Sequence, residues 1–367
     1  MNFPMLIVFG LLLFGSALAA GELPIIGAIR WDAWYGEKGP VKEVERSLGP
    51  IKYHFRLPFF ARVLDQNTVS INGDSSAIME QEIAFATQAG LAFWAFVDYG
   101  DQGELTLARK QYQAEPNKRG LRFCFVEEGG RLDALGTNAW PRLVRFFQSP
   151  DYQRVLEGRP LLFVFGAPKR VEKTHFQQLT EACLTAGLKR PYLVFMGWHP
   201  EQDAKIIQSL GFDAWSAYAA GGQYSGAMLS FEKLTAQVRN HYWEACRRLR
   251  LPTITFATTG WDTRPRLEHP VSWMPLRVAK PEPKPPTPPP RLPDAVTATP
   301  DQLASHVRDA MVWTQANRDL NPANAMLLYA WNENDEGGWL IPTLNSDGST
   351  NVNRISALNK MLSIGTR

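Results

Sequence analysis

The chain has 367 residues, of which 45% are hydrophobic and 20% charged, so it can bury a sizeable core as one large domain or two ordinary ones. Its formal net charge is +3, from 39 basic and 36 acidic residues interspersed without a basic block, and nothing in this pattern points to nucleic acid or an anionic membrane surface. The three cysteines, Cys124, Cys183 and Cys246, are an odd number on separate elements, which favours buried small hydrophobic residues over a disulfide framework.

The first 20 residues form a candidate export signal. They carry no charged side chain, and their apolar run from Met5 to Phe14 is shorter than the roughly 20 residues that span a bilayer. The pattern Ala17-Leu18-Ala19 that follows is typical of a signal peptidase site. We therefore expect a cleaved signal peptide over residues 1–20 and a secreted or periplasmic mature chain without a membrane span. An uncleaved anchor and a buried helix are the alternatives, because no Lys or Arg precedes the apolar run.

Eight apolar, β-branched or aromatic runs recur along the rest of the chain, most of them followed by a segment with helical periodicity. Most runs are continuously apolar, as expected of parallel strands that are covered on both faces. The predicted strands are residues 25–31, 91–97, 121–126, 161–165, 192–196, 214–219, 253–257 and 325–330.

Start and stop signals predict several of the intervening helices. An apolar stripe that includes Met79 and Ile83 ends at Gly90, and Ser230 is a candidate N-cap for a later helix. The clearest start is residues 299–302, Thr-Pro-Asp-Gln, which combine an N-cap, a proline in the first turn and a capping box.

Eight repeats of strand and helix over about 340 residues predict a closed (β/α)8 barrel, or TIM barrel, which forms a single domain over residues 22–367. A doubly wound open sheet is the competitor, but residues 31–36 are not the Gly-rich phosphate-binding turn that often follows its first strand. Two long connections interrupt the alternation, residues 33–76 and the proline-rich residues 265–298. We interpret the second as a loop excursion on the upper face, either a solvated loop or a lid of the cleft.

The active groups of such a barrel follow the C-terminal ends of its strands. Aromatic rings stack on sugar rings, and carboxylates and amides bind sugar hydroxyl groups, so a mixture of both at one mouth predicts a carbohydrate site, although any single tryptophan is more often a packing residue. The candidate substrate-binding residues are Trp31, Asp32, Asp98, Tyr99, Glu127, Trp198, His199, Tyr218, Trp261, Asp262, Arg264, Trp331, Asn332 and Trp339.

Glu333 and Glu336 are the candidate catalytic residues. They lie three positions apart after the eighth strand, so their Cα atoms are at most about 10 Å apart and both carboxylates can reach one bond. Glycoside cleavage uses two such groups, one to protonate the leaving oxygen and one to assist attack at the sugar carbon. An acidic solvated turn is the alternative, but Gly337 and Gly338 follow the pair and permit close backbone approach.

These residues resemble a known family. Residues 331–342 are similar to the W-N-E-W-x-E-G-x-x-L-E-P signature of glycoside hydrolase family 99 and its WbsX-like relatives, and residues 260–266 resemble the family's G-W-D-N-T-P-R turn. Residues 82–96 and 27–31 are weaker matches to its helix–strand unit and first strand. The resemblance implies a retaining endo-α-mannosidase mechanism through a 1,2-anhydro sugar. Glu333 would then be the base on the substrate 2-hydroxyl and Glu336 the general acid and base.

Two other functions stay open. Asn334, Asp335 and Ile341 differ from the family signature, so a catalytically inactive carbohydrate-binding barrel is an alternative to the hydrolase. An enzyme of different chemistry on the same fold is the other. The six histidines show no H-x-H or H-E-x-x-H spacing, and we expect neither a metal nor a cofactor. We expect a monomer with a carbohydrate as its substrate and no nucleic-acid partner.

Overall fold

The computed structural model describes residues 22–220, 229–274 and 297–365. Eight parallel strands form a barrel, and each overlaps one of the eight predicted runs. The barrel strands are β1 (Ile25–Arg30), β2 (Phe93–Val97), β3 (Arg122–Glu128), β4 (Arg159–Phe165), β5 (Tyr192–Gly197), β6 (Ala214–Ala217), β7 (Thr255–Thr258) and β8 (Ala325–Tyr329). The prediction of a (β/α)8 barrel is confirmed.

The strand order closes the barrel in chain order. Each strand pairs in parallel with the next from β1 to β6, and β7 pairs with β8. The first and last strands are also neighbours, with Ile25 opposite Ala325. A parallel bridge between Trp215 and Thr253 joins β6 to the chain entering β7. The C-terminal ends of all eight strands therefore face one side of the molecule, which we call the upper face.

Helices surround the barrel. They are α1 (Pro40–Leu48), α2 (Ser76–Gln88), α3 (Leu107–Ala114), α4 (Gly129–Leu135), α5 (Trp140–Phe147), α6 (Lys173–Thr185), α7 (Pro200–Leu210), α8 (Phe231–Val238), α9 (Glu244–Leu249), α10 (Arg264–Glu268), α11 (Pro300–Ala316) and α12 (Asn353–Gly365). A π-helical turn, Arg239–Trp243, joins α8 to α9.

The sequence signals for helix starts are confirmed. The Ser230 side chain accepts a hydrogen bond from the Lys233 backbone N–H at the start of α8. Thr299 and Gln302 form the capping box of α11, in which each side chain accepts from the other residue's backbone N–H. Such caps satisfy backbone donors that have no partner within the helix.

The core is formed by the strands and the inner faces of the helices, and it is rich in aromatic residues. Trp94 and Trp215 are among its largest fully buried side chains. Cys124, Cys183 and Cys246 are all buried and unpaired, as the sequence predicts. Among the residues that the structure describes, no helix is both long and apolar enough to cross a membrane.

The structure describes the whole of the first long connection, residues 33–76, but only part of the second, residues 265–298. Residues 33–76 contain α1, the 3-10 helix Ile51–Arg56 and a two-stranded pair formed by Arg62–Val63 and Val69–Ser70, so this segment is more regular than its sequence indicates. The excursion predicted over 265–298 begins with α10, and its residues 275–296 lie outside the described part of the chain. The predicted signal peptide, residues 1–20, lies outside it too.

Candidate active site

A short hairpin carries Glu333 and Glu336 on the upper face. Asn332–Glu333 pairs in antiparallel fashion with Gly338–Trp339, and the 3-10 turn Asn334–Glu336 connects the two segments. Gly337 closes the turn with a φ of 83°, in the left-handed region that favours glycine. A Cβ atom at this position would also clash with the Asp262 backbone nitrogen, so the glycine permits the hairpin to lie against the turn after β7.

Arg266 joins the acidic side chains of this hairpin into one cluster. Its Nη2 donates to Glu333 Oε2 at 3.2 Å, and its Nη1 donates to Glu336 Oε1. Asp335 accepts from Nε at 2.6 Å and from Nη2 at 2.9 Å in a bidentate pair. The two glutamates therefore converge on a single guanidinium group, and Asp335 belongs to the same cluster.

Two tyrosine hydroxyl groups complete the hydrogen bonding of the glutamates. Tyr218, which follows β6, donates to Glu333 Oε1 at 3.1 Å, and Tyr329, the last residue of β8, donates to Glu336 Oε2. Burial and the adjacent glutamates raise the pKa of both tyrosines well above the usual value, so both are protonated donors at neutral pH. All four carboxylate oxygen atoms of the pair thus accept a hydrogen bond from the protein.

The electrostatics of the cluster favour a shared proton. Burial raises the pKa of Glu333 well above its usual range, and the charge of Glu336 raises it further, against the effect of Arg266. Burial also raises the pKa of Glu336, and Arg266 and Tyr329 offset only part of this. One guanidinium group cannot neutralise three carboxylates, so the pair retains a proton to a higher pH than isolated glutamates do. A general acid next to a base needs such a proton.

The turn after β7 anchors the hairpin. The Asp262 backbone N–H donates to the Glu336 carbonyl oxygen at 2.6 Å. The Asp262 carboxylate pairs with Arg56 and with Arg264, whose Nη2 lies at 2.6 Å. Burial opposes ionisation of Asp262, but the hydrogen bonds from Arg264 and the charge of Arg56 outweigh it and lower the pKa. Asp262 and Arg264, both predicted to bind substrate, are therefore paired with each other beside the glutamates.

Three further predicted residues connect β1 to the hairpin. Asn332 Oδ1 accepts from the Trp31 backbone N–H at 2.9 Å, and its Nδ2 donates to Asp32 Oδ1 at 3.3 Å. Arg30 Nε donates to the same Asp32 oxygen at 2.8 Å. Burial raises the pKa of Asp32 to about 6, although Arg30 acts against it. Trp31, Asp32 and Asn332 are buried. The hydrogen bonds to Trp31 and Asp32 fix the position of Asn332, which directly precedes Glu333.

A separate acidic pair, Asp98 and Glu127, lies at the ends of β2 and β3. Arg142 from α5 pairs with Asp98 through Nη2 at 2.8 Å and lies 3.8 Å from Glu127 Oε1. Burial and the charge of Asp98 raise the pKa of Glu127 well above its usual range, so Glu127 keeps its proton to a higher pH than an isolated glutamate does. Hydrogen bonds from Glu127 and Arg142 outweigh the effect of burial on Asp98 and lower its pKa. Both predicted residues are thus engaged with each other and with Arg142.

The remaining predicted residues differ in exposure. Tyr99, Trp198, Tyr218 and Trp261 are half-buried on the upper face, and Trp261 packs against Tyr329 with ring centroids 5.6 Å apart. Tyr99 accepts a hydrogen bond from the Trp31 indole at 2.9 Å. His199 is exposed at the N-cap of α7. Trp339 is buried between the guanidinium groups of Arg354 and Arg56.

Trp331 does not line the upper face, contrary to the prediction that it binds substrate. Its side chain is fully buried, with its ring centroid 5.3 Å from that of Trp94 and its indole N–H 3.5 Å from Glu82 Oε1. The side chain therefore packs inside the protein, because neighbouring positions along an extended segment point to opposite sides. The position of Trp331 in the motif does not tell whether its side chain points into the protein or toward the upper face.

Sequence reasoning did not identify three residues of the cluster as functional: Arg266, Tyr329 and Asp335. Arg266 ends the 260–266 motif, and that resemblance was the available signal for it. Tyr329 is the last residue of β8, so its position at a strand end was a second available signal. Within the described residues, no group of three or more His, Cys, Asp or Glu side chains is arranged to hold a metal ion.

These observations define a (β/α)8 barrel with a buried glutamate pair at the C-terminal end of its last strand. No family model matches the chain, and no curated protein matches it. Among solved structures, the GH99 endo-alpha-mannosidase from Bacteroides thetaiotaomicron is similar, with a TM-score of 0.56, 13% identity, and coverage of 93% of this chain and 97% of that chain. Its complex with bis-tris propane gives the same TM-score and 12% identity. The chain therefore has a GH99-like fold.

Proposed function

We propose that the protein is an exported glycoside hydrolase that cleaves an oligo- or polysaccharide by a retaining, endo-α-mannosidase-like mechanism. The observation that carries the proposal is the convergence of Glu333 and Glu336 on Arg266, in a buried cluster at the end of β8. The fold that the chain shares with an endo-α-mannosidase supports the proposal, and so does the motif that surrounds the pair.

In the first step of the proposed reaction, Glu333 takes the proton of the substrate 2-hydroxyl group. The sugar O2 attacks C1, the bond from C1 to the leaving oxygen breaks, and Glu336 gives its proton to that oxygen. The product is a 1,2-anhydro sugar. In the second step, water attacks C1 and the bond from C1 to O2 breaks, while Glu336 takes a proton from the water and Glu333 returns its proton to O2. The charges and protons balance over the two steps, and both carboxyl groups regain their starting states.

The surroundings of the pair suit these roles. The raised pKa of both carboxyl groups keeps one proton in the cluster, and the proposed reaction requires this proton to lie on Glu336 when the substrate is bound. Arg266 contacts both carboxylates and fixes their relative position, which is a condition for concerted proton transfer. The half-buried rings of Tyr99, Trp198 and Trp261 supply surfaces on which a sugar ring can stack.

One observation favours a second candidate, a carbohydrate-binding barrel without hydrolytic activity. Every carboxylate oxygen of the pair already accepts a hydrogen bond from Arg266, Tyr218 or Tyr329, so the pair can serve a structural role. Stable binding on a glycan array without release of reducing ends would support this candidate. Measurable turnover would exclude it.

A substrate screen tests the proposed hydrolase. We expect the wild-type protein to release reducing sugar from an α-mannan, in which O2 lies trans to the leaving oxygen, and not from an α-glucan, in which the two are cis. Glu336→Gln, with unchanged folding, should release none above background. The anomer formed first, read by proton NMR, should match that of the substrate. An inverted first product would contradict the retaining mechanism, and a wild-type protein inactive on all α-linked mannans, neutral and acidic, would contradict the substrate class. For export, we expect the secreted protein to lack residues 1–20 by mass spectrometry.

A further inference from the structure

A cavity on the upper face, beside the hairpin, has no role in the proposed reaction. It has a volume of about 220 Å³, several times the roughly 30 Å³ that one water molecule occupies in the liquid. Its wall includes aromatic, hydroxyl, amide and guanidinium groups, and the residues used below are Phe55, Trp339, Thr343, Asn353 and Arg354. We call it the Arg354 cavity.

Arg354 is a cation without an anionic partner in the described part of the chain. Its Nη1 donates to the carbonyl oxygen atoms of Trp339 at 2.6 Å and Thr259 at 3.3 Å, and its Nη2 donates to that of Ala298 at 3.1 Å. These carbonyl groups hold the guanidinium in place but do not neutralise it. Burial and the nearby Arg56 lower the pKa of Arg354 to about 9, so it is still charged at neutral pH. A bound anion would relieve this unfavourable burial of a charge.

The guanidinium keeps two N–H groups without a partner in the described chain, because Nε makes no hydrogen bond there and Nη2 uses only one of its two N–H groups. Nε and Nη2 share one edge of the guanidinium, and when both direct an N–H group along that edge they bind a carboxylate or a similar oxyanion in bidentate fashion. The first turns of α11 and α12 also border the cavity, through Pro300 and Asn353, and add a weak preference for negative charge.

The cavity lies beside the hairpin that carries the glutamate pair. Trp339 forms part of its wall and stacks on the Arg354 guanidinium at 3.8 Å from the ring centroid. In the hairpin, Trp339 lies opposite Asn332, and Gly338 lies opposite Glu333. Residues opposite each other in an antiparallel pair have Cα atoms about 5 Å apart, so the backbone of Trp339 lies one residue from Glu333, and the two side chains point to opposite faces of the hairpin.

We propose that the Arg354 cavity binds the acidic group of an anionic saccharide, a carboxylate or a sulfate ester, on a sugar other than the one that is cleaved. The aromatic wall of Trp339 and Phe55 and the polar groups of Thr343 and Asn353 suit the remainder of a sugar ring. This inference rests on the proposed function for the saccharide nature of the ligand. It adds that the natural polymer is acidic.

Direct binding measurements test the inference without any need for turnover. The full-length protein is titrated calorimetrically, at constant ionic strength, with glucuronate, glucose 6-sulfate, neutral glucose and inorganic sulfate. We expect at least one of the two acidic sugars to bind about tenfold more tightly than glucose, since charge-assisted bidentate hydrogen bonds have about this effect. Equal affinity for glucose and both acidic sugars would overturn the inference. Binding of inorganic sulfate alone would overturn the assignment to a saccharide.

Variants of Arg354 and of two other residues test where the acidic sugar binds. Arg354→Gln should abolish the preference for the acidic sugar, and Arg354→Lys, which keeps the charge but loses the bidentate edge, should give an intermediate affinity. Arg248→Gln removes an arginine whose side chain is 62% exposed and should bind as the wild type does. A folded Arg354→Gln protein with wild-type preference would overturn the inference. Preference retained in Glu333→Gln would support a site distinct from the catalytic pair. Preferential binding of an acidic sugar here, together with no turnover in the polysaccharide screen, would contradict the hydrolase while supporting the cavity's role.

Discussion

Arg266 is the residue on which the acidic cluster depends, because its guanidinium contacts the carboxylates of Glu333, Asp335 and Glu336. Removal of one partner from a buried ionic cluster leaves uncompensated charge, which costs about 3–5 kcal/mol. We expect Arg266→Gln to lower the free energy of unfolding by about this amount at pH 7, measured by urea denaturation. The loss should shrink as the pH falls toward 5, because carboxyl groups that have gained a proton no longer need the cation.

Arg247 provides the control for this prediction. Its side chain is 60% exposed and pairs only with Glu244 on the same helix. Arg247→Gln should change the free energy of unfolding by less than about 1 kcal/mol. If both variants lose the same small amount, Arg266 does not hold the cluster together.

The two tyrosines allow the roles of the glutamates to be separated. Each donates a hydrogen bond to one carboxylate, so its loss should raise the pKa of that carboxyl group. In Tyr329→Phe the affected group is Glu336, the proposed acid, and we expect the alkaline limb of the kcat/KM profile to move to higher pH. In Tyr218→Phe the affected group is Glu333, the proposed base, and the acidic limb should move to higher pH instead. The opposite assignment of limbs would mean that the two roles are exchanged.

At the level of elements, we expect the hairpin after β8 to support catalysis only if it lies close to the turn after β7. Gly337 permits this contact, and Gly120, with a φ of 82° and open space where a Cβ atom would lie, is a matched control. In both Gly→Ala variants a residue with a side chain must adopt a left-handed backbone conformation, which lowers the free energy of unfolding by about 1 kcal/mol. Only Gly337→Ala should also displace the hairpin from Asp262 and reduce kcat by at least about 100-fold. Equal activity in the two variants would show that the close approach is unimportant for catalysis.

Helix α11 packs on β7 through a buried histidine. His306 Nε2 accepts from the Thr258 backbone N–H at 3.3 Å, and its ring stacks on Trp243. Burial and Arg239 lower the pKa of His306 to about 3, below the value of 6.5 for an exposed histidine. Between these two pH values the unfolded chain therefore binds more protons than the folded chain does. The stability that His306 contributes is present above pH 6.5 and is lost as the pH falls toward 3.

His306→Gln should remove this dependence. Between pH 7 and pH 5, the free energy of unfolding of the wild type should fall by about 2 kcal/mol more than that of the variant, measured by urea denaturation at both pH values. His241→Gln alters an exposed histidine and should follow the wild type. Parallel pH profiles for the wild type and His306→Gln would contradict the buried, neutral histidine.

At the level of the whole molecule, the barrel could be predicted because each strand is an apolar run that its own sequence reveals. The end of a run also places Glu333 and Glu336 at the upper face. The partner of these glutamates could not be predicted in the same way. Arg266 lies 67 residues before Glu333, and its contact depends on the path of α10. The prediction for Trp331 is wrong because a motif does not state which side of an extended segment faces the core.

The closed barrel brings together residues that are distant in sequence. Tyr218 after β6, Arg266 after β7 and Glu333 after β8 meet on one face because all the strands point the same way. The Arg354 cavity depends on the same closure, since α12 follows the last strand and returns beside the hairpin. A single barrel therefore holds both the proposed cleavage site and the proposed site for an acidic sugar.

The kcat/KM values of Glu333→Gln and Glu336→Gln on a cleaved polysaccharide test the central claim most directly. Glu80→Gln, which alters an exposed glutamate of α2, is the control. With all three variants folded as the wild type is, by circular dichroism, we expect each variant of the pair to lose about 10²–10⁴-fold in kcat/KM and the control to lose nothing. Wild-type turnover in either variant of the pair would contradict the claim that these two carboxyl groups carry the reaction.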